Sequence, residues 1–374
     1  MINNTNILIN RKKEKASQGC QVVYKRKNLT SLLLRDVESL SAEERTCLRD
    51  YYGRYGREAF EKIAVDNKIV PFAAHVLIAL DCDISFWQEK HNFFVQRNQK
   101  IKAILNSIFA AMENFDCKSL LLIENFAVVL ASKLCIGCFC SGDVDLSADI
   151  AERYKIIDCL RGFNFIGKEQ PESIGEYSGQ SMQFGNCDII EGGFWINVAW
   201  KPVTRAFLIQ DRYENRLAKD RLLARLISDT NIRVLDDTAL MYFCALHIAA
   251  GHYYTMSPGL RLYVDIDRLA RACNINWDHI VKWEMEDNAG IRISTVMYLS
   301  HKLLKTPVPE KVYNKTFKNK RNIKLVNYLY STNSDEIQNS SSKLRRLYIE
   351  LASDDGNIVS SFVSRIMQLM RSKL

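Results

Sequence analysis

Two aspartates stand two positions apart, Asp143 and Asp145, within the stretch "CSGDVDLSAD" at residues 140–149. On a strand, residues i and i+2 project from one face, so both carboxylates would point together while Val144 and Leu146 turn into a core. Carboxylate oxygens are ligands for hard cations. Two Mg²⁺ ions about 3.5–4 Å apart can clamp the attacking and leaving oxygens of a phosphoryl displacement. Gly142, which lacks a Cβ, would let phosphates approach the backbone closely. The competing reading is an acidic turn that faces water.

Other groups that could do chemistry are weaker. His247 and His252 are five apart on an apolar helical stretch, not the four that stacks two ligands on one helix face, so they are expected as satisfied core histidines. Cys135-x-x-Cys138-x-Cys140 has thiol spacing suited to zinc. No second such pair and no neighbouring histidine completes four ligands, so buried reduced thiols are expected there. "SGQSMQFG" lacks phosphate-loop spacing, and Trp195, Trp200, Trp277 and Trp283 are expected as core aromatics.

The flanking elements decide whether the aspartates can converge. "SLLLIEN" has strand length and "FAVVLASKL" is a short helical run. "DVDLSAD" alternates with strand period. Asp149-x-x-Glu152 then reads as a cap for the helix "IAERYKIIDCLRG", ended by Gly162. "GQSMQFGNCDIIEGGFWINVAWKPV" reads as two strands joined at Gly192-Gly193. Helical periodicity runs before this unit, with a Ser41-x-x-Glu44 capping box, and returns after Pro202 in "TALMYFCALHIAAGHYY", apolar nearly all round. The expected architecture is α+β, a small mixed sheet flanked by N-terminal and C-terminal helical regions. The expected divisions are a basic, flexible lead-in at 1–28, helices at 29–117, the α/β core at 118–203, a helical domain at 204–310, and a basic or polar segment with a terminal helix at 311–374.

Composition narrows the class. The chain has 374 residues, 47% apolar, enough for a sizeable core. Eleven cysteines with no secretion-type leader point to reduced thiols in a cytoplasmic protein. No stretch of about 20 residues is free of charged or strongly polar groups, as a membrane helix requires. The net charge of +8 sits at two basic stretches, +6 in residues 1–28 and +7 in 301–325, which leaves −5 for the remainder. Such stretches are mostly solvated. They lack the interleaved aromatics of single-strand binders, so nucleic acid is not expected as a partner.

The order strand, short helix, "GDVDL", helix ending in Gly-Phe, then paired strands resembles the polymerase-β-like nucleotidyltransferase superfamily. Within it, the chain is most similar to a bacterial family of uncharacterised nucleotidyltransferases. The later motifs fit that pattern: His247 and His252 in "LHIAAGH", Asp265 in "LRLYVDIDRLARAC", and Trp277-Asp278 in "INWDHIVKW". The resemblance covers roughly residues 118–310. Four positions depart from it. Glu124-Asn125 replaces the family's Lys-Gly, and Asn197 and Ala199 replace an acid and a histidine on the third strand. Asn can ligate through its carbonyl but brings no negative charge. With two carboxylates alone the site would hold cations more weakly, and Asp188 or Glu191 on the neighbouring strand could compensate.

The resemblance implies transfer of a nucleoside monophosphate from an NTP, with Mg²⁺ as cofactor. Asp143 and Asp145 would be the catalytic and metal-binding pair, Ser141 and Gly142 would line the phosphates, and Lys201 or Arg205 would contact them. The acceptor, a small molecule, a peptide or a protein, stays open. The alternative is a catalytically degraded relative that keeps the fold as a nucleotide- or protein-binding module.

Overall fold

The computed structural model describes residues 26–168, 181–186, 194–200, 207–255, 260–318, 320–331 and 343–353. Four helices come first: α1 (Arg26–Leu33), α2 (Ala42–Asp66), α3 (Val70–Ala79) and α4 (Ile84–Asn114). The expected capping box opens α2: the Glu44 backbone N–H donates to the Ser41 hydroxyl, and the Ser41 N–H donates to the Glu44 carboxylate. Along α4, Trp87, His91, Asn98, Ile101, Leu105, Ile108 and Met112 are buried. Their spacing of three, four and seven residues makes one stripe. That stripe lets α4 pack against α3 and against the chain that leads into the central strand.

The sheet has seven strands: β1 (Leu121–Ile123), β2 (Asp143–Ser147), β3 (Ile166–Lys168), β4 (Ser181–Asn186), β5 (Phe194–Ala199), β6 (Arg225–Leu226) and β7 (Arg233–Val234). Their spatial order is β3-β4-β5-β2-β1-β7-β6. β2 lies between β1, to which it is antiparallel, and β5, to which it is parallel. β4 and β5 pair antiparallel as the hairpin signal predicts; its Gly192-Gly193 turn lies outside the described residues. Helix α5 (Glu124–Ala131) starts directly where β1 ends, and α6 (Arg153–Gly162) follows β2. This is the expected α+β arrangement, a mixed sheet flanked by helices.

The remaining helices are α7 (Phe207–Leu222), α8 (Asp237–Leu246), α9 (Leu260–Ala272), α10 (Trp277–Glu286), α11 (Gly290–Leu304), α12 (Glu310–Lys318), α13 (Lys320–Ser331) and α14 (Lys343–Ala352). Every residue of α8 from Thr238 to Leu246 is buried, as its all-round apolarity predicts. The basic stretch after Pro309 differs from the polar zone expected of it. It forms α12 and α13: Val312 is buried on α12, and Leu325, Val326 and Leu329 recur at helical spacing and are buried on α13. One hydrophobic core runs from Leu29 through the sheet to Ala352.

Candidate active site

Alternation on β2 sets the site. Val144 and Leu146 are buried at 1% and 0% exposure, while Asp143 and Asp145 share the opposite, half-open face. Each buried apolar side chain contributes about 1.5–3 kcal/mol, and a one-residue slip would drive both carboxylates into the core. β5 alternates in the same way. Its register places Asn197 beside Asp145 and Trp195 beside Asp143. The Asn197 amide donates from one nitrogen to both carboxylates, at 2.9 Å to Asp143 Oδ2 and 3.0 Å to Asp145 Oδ1.

The loop before β2 is held from α4. Arg97 Nη2 donates to the Ser141 carbonyl at 2.8 Å, and the Ser141 hydroxyl donates to Asp143. A side chain at Gly142 would meet open space, so packing does not demand this glycine and the approach to its backbone is clear.

Glu124 enters as a third carboxyl group. Ile123 pairs with Asp145 across the β1–β2 ladder. The next residue, Glu124, takes a left-handed φ of 62° as the strand turns into α5. This turn delivers its side chain onto the aspartates, where it hydrogen-bonds Asp145. Burial, with the charges of Asp143 and Asp265 added, pushes the Glu124 carboxyl up to about 8, although the Asp145 hydrogen bond and Arg261 pull it down. Burial and the neighbouring Glu124 and Asp143 charges push Asp145 up as well, against the Asn197 hydrogen bond. The shared cause is the crowding of carboxyl groups in a buried place, which disfavours negative charge on both Glu124 and Asp145. Asp265 on α9 is pushed up to about 7 by burial, against the pull of Arg268 and Arg261.

The two histidines are satisfied, as expected, but by each other and by the carboxyl cluster. After α8 the chain continues as a π-turn, His247–Gly251, closed by the His252 N–H donating to the His247 carbonyl at 3.2 Å. An i→i+5 turn brings residues five apart together. The two rings lie 4.6 Å apart between centroids, and His247 Nδ1 is 3.1 Å from Glu124 Oε1. Helix periodicity could not show this, because the turn is wider than an α-helical one.

Of the sequence-predicted residues, Ser141, Gly142, Asp143 and Asp145 come together at the start of β2. Lys201, Arg205, Asp188 and Glu191 lie outside the described residues. The residues missed by the sequence reading are Glu124, read as a loss, and Arg261. Arg261 lies four residues before Asp265 on α9, a spacing that puts both on one helix face. With Asn125, Cys140, Asp265 and Arg268 it lines a small pocket beside α5. Trp200 is buried, and Trp277 and Trp283 pack on the core.

The donor set suits a hard cation. The three carboxyl groups are oxygen ligands, Asn197 turns its amide nitrogen to two of them, and crowding that lifts Glu124 and Asp145 is relieved by positive charge between them. No helix is long and apolar enough to cross a membrane among the described residues, and no disulfide joins the described cysteines. Residues 57–305 match the family described as uncharacterised nucleotidyltransferase. No curated protein and no solved structure matches the chain.

Proposed function

Because the chain belongs to the uncharacterised nucleotidyltransferase family, we propose that it moves a nucleoside monophosphate from an NTP to an acceptor, with Mg²⁺ held by Asp143 and Asp145. The carrying observation is the convergence of Asp143, Asp145 and Glu124 at the start of β2, bridged by Asn197. Mg²⁺ bound there would neutralise triphosphate charge and polarise the α-phosphoryl group.

The chain's own residues would position the reactants. Ser141 and the open backbone at Gly142 would take the phosphates. Arg261, with Lys201 or Arg205, would supply the positive charge that the family's lysine otherwise brings. The acceptor oxygen would attack the α-phosphorus, the bond to the β-phosphate oxygen would break, and pyrophosphate would leave. Glu124, with His247 Nδ1 3.1 Å from its carboxyl group, would accept the acceptor's proton. Catalysis of this kind is mostly positioning and charge neutralisation.

One observation favours a second reading. The Asn197 amide nitrogen satisfies both aspartates, a contact that a non-catalytic nucleotide- or protein-binding relative would keep. Calorimetry with ATP, GTP, CTP and UTP in Mg²⁺, paired with a pyrophosphate-release assay, separates the two. Turnover that is lost in the Asp143→Asn, Asp145→Asn variant supports the enzyme. Binding without turnover supports the module. Binding unchanged by the double substitution sinks both uses of the aspartates.

A further inference from the structure

A second cluster lies apart from the carboxylates and has different donors. His75 on α3, His91 on α4, and Cys135 and Cys138 on the loop between α5 and β2 bring four ligand atoms within 4.8 Å of one another. Two thiols and two imidazoles are the soft and borderline donors that select zinc over Mg²⁺ or Ca²⁺. We propose that these four residues hold a structural zinc ion that fastens the N-terminal helices to the chain entering the active-site strand.

The geometry is built for close approach. Cys135 and Cys138 bracket a single 3₁₀ turn, closed by the Cys138 N–H donating to the Cys135 carbonyl at 3.0 Å. That turn is pressed onto α4. A Cβ at Gly137 would come within 2.8 Å of His91 Nε2 and 2.7 Å of Val95 Cγ2, so position 137 favours glycine. Cys135 Sγ is 3.2 Å from His91 Nε2, and the His75 and His91 rings are 5.6 Å apart between centroids.

The turn's carbonyls are held from two sides. Asn98 Nδ2, buried on α4, donates to the Ile136 carbonyl at 2.7 Å and to the Phe139 carbonyl at 2.9 Å. Arg268 Nη1 donates to the Cys138 carbonyl at 3.2 Å. The sulfur and imidazole atoms are thus left to face one another.

Bond lengths of about 2.0–2.3 Å to zinc require ligand atoms about 3.3–3.8 Å apart in a tetrahedron. The cluster reaches that by closing about 1 Å at its widest. His91 and Cys138 are 8% and 3% exposed. Four protein ligands in a mostly closed setting are the pattern of a structural zinc site, which keeps no position for a reacting water. The structure corrects one expectation: histidines do neighbour Cys135 and Cys138. The missing ligands come from two helices, and the two histidines precede the cysteines in the chain.

The test uses the full chain, purified under reducing conditions without chelator from cells supplied with zinc. Elemental analysis is expected to find about one zinc per chain. The Cys135→Ser, Cys138→Ser and His91→Gln variants are each expected to lose it, while Cys273→Ala keeps it. Cobalt(II) added to the metal-stripped wild type is expected to give tetrahedral ligand-field bands with thiolate charge transfer, so the proposal remains decidable should the variants fail to fold. Background zinc with no cobalt spectrum overturns it. So does zinc that survives the cysteine substitutions.

Discussion

The two side-chain clusters that flank the loop into β2 differ in almost every respect. Glu124, Asp143, Asp145 and Asn197 are oxygen-rich, carried mainly by sheet strands and half-open. His75, His91, Cys135 and Cys138 are sulfur and nitrogen, carried by two helices and a 3₁₀ turn, and partly sealed. Cys138 and Asp143 are only five residues apart in the chain. Donor chemistry separates what such close neighbours would bind, a hard cation at one and zinc at the other. Access separates what the ions would do, since a reacting group must reach the first and nothing need reach the second.

The contrast is most exposed by the Asp143→Asn, Asp145→Asn variant. Nucleotidyl transfer is expected to fall by about 10³-fold or more, equivalent to ~4 kcal/mol, in the pyrophosphate assay. Zinc content in the same preparation is expected to stay unchanged; a joint loss would mean the clusters are one unit. Cys138→Ser is the converse. It should abolish zinc and lower unfolding free energy by about 3 kcal/mol in chemical denaturation, with carboxylate-site Mg²⁺ binding retained in the folded fraction.

Asn197→Asp sharpens the reading of the oxygen site. A third strand carboxylate is expected to tighten Mg²⁺ about tenfold, ~1.4 kcal/mol by calorimetry, while it destabilises the metal-free fold through added like charge. Weaker Mg²⁺ binding in this variant would place the ion elsewhere.

Glu44 supplies a reference outside both clusters. It pairs with Arg35 at 2.9 Å and with Lys305 at 2.7 Å. Burial pushes its carboxyl up, but Lys305, the Ser41 N–H and Arg35 outweigh this and bring it down to about 2. A lowered carboxyl stabilises the fold above its unfolded value near 4.5, and that stability is lost as pH falls through about 2. Glu44→Gln is therefore expected to cost about 1 kcal/mol at pH 7, and the difference should vanish in acid melts. Neither Mg²⁺ nor zinc should alter that profile.

Different parts of this architecture were legible to different degrees. The period-two pattern of "DVDLS" announced both the strand and the shared face of the aspartates, because alternation is local and burial of Val144 and Leu146 enforces it. The α2 capping box and the buried α8 were legible for the same reason. Glu124 was read as the loss of a lysine. Its role as a neighbour of Asp145 depends on the β1–β2 register and on a left-handed turn at Glu124 itself. The contact between His247 and His252 is not legible from α-helical spacing, because the backbone makes a π-turn there.

The amino-acid sequence alone determined which residues alternate, which stripes are apolar and which donors the chain possesses, since these are properties of near neighbours. The tertiary structure decided which donors meet. Glu124 reaches Asp145 across a strand pair, and His75 and His91 reach Cys135 and Cys138 from separate helices. Contacts between distant segments arise from packing the whole core, and no local pattern records them.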